Sequence, residues 1–169
     1  MSDLLEGSER STIVYDKKEL RSILAAFKGM SEQAVEEAKK ESAALAQFLG
    51  DKIVQASYSA PNPKVALRIA QGFRVKKSSK IGELSFGFAS QRFSGGATTQ
   101  FNIGYRGGDG LLAGAEFGAK NYPQFPGRTA RFGVRGNEGY FIYPTLRKNQ
   151  SQLIQQWESA FARILKEYN

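Results

Sequence analysis

The apolar residues change their repeat from helical to alternating after Gly72, and that change limits the fold more than any other feature. Before it the repeat is helical. Leu20, Ile23, Leu24 and Phe27 recur at i, i+3, i+4 and i+7 behind Asp16 and Glu19, a capping-box pair, and Gly29 offers a stop. Ser31 can cap a second helix, with Glu32, Glu36 and Glu37 near its positive end. Val35, Ala38, Leu45, Phe48, Leu49 and Ile53 carry it to about residue 57 as a narrow, alanine-rich stripe that must pack on the sheet or on a neighbouring chain. Ala60-Pro61-Asn62-Pro63 breaks the pattern. Asn62 as cap and Pro63 in the first turn predict a short helix ended by Gly72.

After Gly72 the period is two. Phe73 to Lys76, Leu84 to Ala89 and Phe101 to Arg106 alternate apolar with polar or small residues, as half-buried strands do. Lys77 to Lys80, Ser90 to Ala97 and Gly107 to Gly110 read as turns between them, and Leu111 to Phe117 reads as a fourth strand. Short connections make the sheet antiparallel. Residues 118–137 have no period. From Pro144 onward Leu146, Leu153, Trp157, Phe161, Ile164 and Tyr168 form one face of a last helix. The expectation is one α+β domain spanning residues 1–169: a helical part over 1–58, sheet and long loop over 59–143, and a C-terminal helix over 144–169 packed on a sheet of about four strands.

Composition narrows the function. The chain has no cysteine and no histidine, which removes disulfides, thiolate chemistry, the commonest zinc ligands and the commonest general base. Neither a phosphate-loop nor a dinucleotide fingerprint occurs. Glu83, Asp109, Glu116 and Glu138 are the carboxylates of the sheet and loop region. An acid–base pair among them is disfavoured, because Asp109 reads as a turn residue and Glu138 as loop. Glu116 reads either as a solvent-facing strand residue or as the buried partner of an arginine. Phe73, Phe86, Phe88, Phe101 and Tyr105 read as the core face of the sheet before they read as a base-stacking platform. The glycines at 95–96 and 107–110 suit tight turns better than a phosphate cradle. No enzymatic activity, cofactor or metal is expected. No apolar run is long enough for a signal peptide or a membrane span, and a soluble protein is expected.

Charge is uneven. Residues 1–60 carry 8 Lys/Arg against 10 Asp/Glu, a balance of −2, and residues 61–169 carry 16 against 6, a balance of +10. A basic surface of this kind meets nucleic acid, an acidic protein face, or only solvent.

Three runs have a familiar order: Glu116-Phe117-Gly118, then Tyr122-Pro123-Gln124-Phe125-Pro126 with Arg128, then Gly136 through Leu146 leading into the last helix. Together with the order of elements they resemble the HK97 gp10-like family of tailed-phage neck, head-tail connector and tail-completion proteins, in the version found in phages of actinobacteria. The resemblance covers most of the chain and is specific only over 111–168. It implies a non-catalytic virion subunit that forms a ring with copies of itself in the neck. It would be assembled in the host cytoplasm between portal-side head-completion proteins and tail-tube proteins, with genomic DNA passing through the lumen. Glu116, Phe117, Tyr122, Phe125, Arg128, Arg131, Phe132 and Arg135 are the expected subunit-interface residues. The loop from Ala119 to Gly136 is the expected assembly element, ordered against a neighbour. The alternative is a non-enzymatic DNA-binding protein using the basic half 61–169.

Overall fold

A computed structural model describes residues 11–14, 22, 25–26, 28–76, 83–100, 110–119, 124–125 and 139–168. In chain order its elements are β1 (Ser11–Val14), α1 (Glu32–Ser57), α2 (Pro63–Gln71), β2 (Phe73–Val75), β3 (Glu83–Phe88), α3 (Leu112–Phe117) and α4 (Tyr143–Tyr168). The chain is α+β.

The predicted caps are in place. Ser31 accepts from the Ala34 amide to start α1, and Asn62 accepts from the Val65 amide to start α2, with Pro63 in its first turn. The sheet has the order β1-β3-β2 with both pairings antiparallel. Phe73 lies opposite Phe88 and Val75 opposite Phe86. The Phe73 and Phe86 rings stack at 5.0 Å and Phe88 meets both edge-on, so these aromatics form core rather than a stacking platform.

Several expectations need correction. β1 was not foreseen. Leu112–Phe117 is a helix, not a fourth strand: Ala115, Glu116 and Phe117 are buried consecutively, which alternation forbids, and six residues are too few for a period to decide. The predicted strand 101–106, the turns at 77–80 and 107–109, and most of the first predicted helix lie outside the described residues. Among the described residues, α4 is not seen to pack mainly on the sheet. Its main packing partner is α1, and α1 in turn covers β2 and β3. α1 therefore buries two sides. One is the expected row Leu45, Leu49, Ile53. The other is a row of small residues four apart, Ala34, Ala38, Ser42, Ala46 and Gly50. A Cβ on Gly50 would lie 2.3 Å from the Phe73 ring, so the helix approaches the sheet there because no side chain intervenes. Trp157 and Phe161 are buried as expected, their rings 3.9 Å apart at a tilt.

Candidate functional site

The most constructed feature of the molecule is the start of α4. Four amides at a helix N-terminus have no partner inside the helix, and Ser, Thr, Asp or Asn normally supplies one locally. Here the preceding residues are Phe141 and Ile142, which have no side-chain oxygen. The acceptor comes from 26 residues upstream. Glu116 Oε2 accepts from the Phe141 and Ile142 amides at 3.0 and 2.9 Å, and Oε1 accepts from the Tyr143 amide at 2.8 Å. The anion also faces the positive end of the helix dipole.

Local sequence places that carboxylate. α3 is short, and its last residues turn Glu116 and Phe117 inward before Gly118 ends it at φ 78°. Gly139, at φ 95°, passes so close that a Cβ there would lie 2.1 Å from Glu116 Oε1. Both positions need glycine for backbone conformation, and Gly139 also for room. Phe117 and Tyr143 pack ring to ring at 5.3 Å. Inside the first turn Thr145 donates to the Phe141 carbonyl, and Asn149 donates to the Thr145 carbonyl at 2.8 Å.

Burial dominates the electrostatics. Glu116 is fully enclosed, and desolvation pushes its carboxyl from 4.5 up to about 7, against the pull of the amides of Ile142, Tyr143, Phe141 and Tyr140. Burial and then the Glu116 charge push the Tyr143 hydroxyl up to about 12, with Arg147 acting in the other direction. Both carboxylate oxygens accept from main-chain amides and neither reaches solvent, which is the chemistry of a cap. No arginine pairs with Glu116 among the described residues. Neither sequence reading of Glu116 anticipated this role. The signal was present: a helix beginning at Pro144 with no capping residue before it, and a lone acid closing an apolar run.

Of the eight expected interface residues, Glu116, Phe117 and Phe125 are buried inside the chain's own fold. Phe125 lies against Gly114, where a Cβ would come within 2.6 Å of its ring. The Ala119 amide donates to the Phe125 carbonyl at 2.8 Å, and Asn62 Nδ2 donates to the Gln124 carbonyl at 3.3 Å. The beginning of the loop is thus held by its own chain without a neighbour. Tyr122, Arg128, Arg131, Phe132 and Arg135 lie outside the described residues, as do Asp109 and Glu138. Among the described residues no three acidic side chains gather as a metal site would, and no helix is long and apolar enough to cross a membrane. Comparison with protein-family models, curated proteins and solved structures finds no match.

Proposed function

We propose that this chain is a non-enzymatic structural subunit of a tailed-phage neck, forming a ring that joins head to tail. One observation carries the reading. The first and last of the three runs that resemble neck proteins form a single structural unit: Glu116 of the first caps the helix that the last begins. Phe125 of the middle run packs on α3 beside them. The resemblance therefore follows a physical dependency between distant residues.

That unit also has a use in a ring. It fixes both ends of residues 126–138, at Phe125 and Gly139, on the body of the subunit. The stretch holds Arg128, Arg131, Phe132 and Arg135, and arginine and aromatic residues are what interface hot spots favour. Neighbours in a closed ring meet through two different patches, so a segment offered from a rigid base suits one half of such a contact.

The test is electron microscopy of intact particles carrying this chain with a bound label. Density for the label in a ring between head and tail is the expected outcome. A label found only in the capsid shell, only along the tail, or absent from particles overturns the reading.

A further inference from the structure

We propose that the surface built from α2, the start of β2 and the loop 89–97 is a contact face for the phosphate backbone of duplex DNA, presented by Lys64, Arg68, Arg74 and Arg92.

These four cations belong to three separate segments, and the fold joins them. Lys64 and Arg68 are four apart on α2, one above the other on its exposed side. Arg68 Nη2 donates to the Arg92 carbonyl at 3.1 Å, and Gln91 Nε2 donates to the Arg68 carbonyl at 2.7 Å, which ties the loop to the helix. Arg74 folds back onto the Gln71 carbonyl, at the end of the same helix. The guanidinium of Arg68 also lies over the Phe93 ring at 4.6 Å. Two of the four side chains are thus held in place by the fold, so less side-chain freedom is lost when they meet an anion.

Among the described residues, none of the four is in an ion pair with a carboxylate. Between Asp51 and Asp109 the chain has one acidic residue, Glu83. It opens β3, whereas Phe88 at the other end of that strand pairs with Phe73 beside Arg74. Five residues of strand separate the two ends by about 17 Å, beyond the Debye length of about 8 Å at physiological salt.

A second copy of the chain is the weaker candidate partner. Among the described residues, three of the acidic side chains of α1, Glu36, Glu37 and Glu41, are already in ion pairs with Lys39, Lys40 and Arg163. Duplex DNA has a fixed array of about one charge per 1.7 Å of axis. The face offers four cations, the side chains that meet phosphates, so it is assigned to the backbone and not to base edges. The source of that DNA, a genome passing through a ring, rests on the function proposed above; the face itself does not.

The experiment measures binding of the purified full-length chain to a labelled mixed-sequence duplex while salt rises from about 50 to about 200 mM. Four phosphate contacts predict a log–log slope of about −3 to −4. Lys64→Glu with Arg92→Glu, both exposed, is expected to weaken binding at least ~10-fold at the lowest salt and to flatten the slope by about 2. Lys64→Gln with Arg92→Gln adds no negative charge and is expected to flatten the slope equally, with unchanged melting as the check on folding. Lys148→Glu with Lys166→Glu makes the same charge change on α4 and should leave the slope as it was. A wild-type chain that binds no duplex at low salt, or two reversal pairs that lose equally, overturns the proposal. A chain that binds DNA through this face but is missing from particle necks overturns the ring reading alone. A chain located in necks whose duplex binding ignores Lys64 and Arg92 overturns the face alone.

Discussion

Glu116 is subject to two opposing effects. Three main-chain amides and a helix dipole favour the anion, while complete burial favours the acid. Burial prevails, raising the carboxyl from 4.5 to about 7. In the window between those values the folded chain binds more protons than the unfolded one. The contribution of this group to stability is therefore fully present below about pH 4.5 and is lost as pH rises through about 7. The total change is roughly 3 kcal/mol at 1.36 kcal/mol per unit. Urea midpoints between pH 4 and pH 8 should fall with rising pH in the wild type, and Glu116→Gln should flatten that fall. An equal slope in the variant would assign the effect to other groups. Gly139→Ala tests the geometry independently of charge. It puts a Cβ on Glu116 Oε1 at a φ that L side chains rarely adopt, and should cost about 2–4 kcal/mol in equilibrium unfolding. A variant as stable as wild type would mean that the carboxylate can leave the helix end without penalty.

Among the elements, what the sequence made legible depended on whether a residue's role could be seen locally. α1 and α2 were readable because their caps lie within a turn of their first residues, and α4 because Pro144 and its large apolar positions show a helical period. The pairing of Phe73–Val75 with the strand ending at Phe88 was readable because both alternate. α3 was misread because Leu111 to Phe117 is too short to show a period and its glycine suits strand and helix about equally badly. β1 spans four residues and shows no pattern without its partner β3. The second buried row of α1 escaped because Ser42 and Gly50 do not register as apolar; what they contribute is thinness. Gly50 gives the sharpest test. Alanine there gains about 1 kcal/mol of helix propensity, yet its methyl would lie 2.3 Å from Phe73. The clash should prevail, with Gly50→Ala destabilising by about 1–2 kcal/mol in urea titration. A stabilised variant would show that the helix can move off the sheet freely.

For the whole molecule, α1 is the central member: α4 packs on one side of it and the sheet on another. The last helix therefore takes its position from α1 along its length and from Glu116 at its start. This arrangement explains why one loop contains residues of two kinds. Phe125 belongs to the body, since its ring fills the space over Gly114 and its carbonyl takes the Ala119 amide. Replacing it with alanine removes buried aromatic surface and should cost about 3–5 kcal/mol, so lost assembly in that variant would report on folding. Arg131, Phe132 and Arg135 belong to the stretch between the two anchors. If the three serve the contact between subunits and not the fold of their own, replacing all of them with alanine should leave the melting temperature within a few degrees of wild type. If that stretch is one half of the ring contact, the same triple variant should sediment as a monomer where the wild type forms rings, and should fail to join heads to tails. A triple variant that melts normally and still closes into rings would remove the loop from the interface and move the search to the exposed faces of α1 and α4.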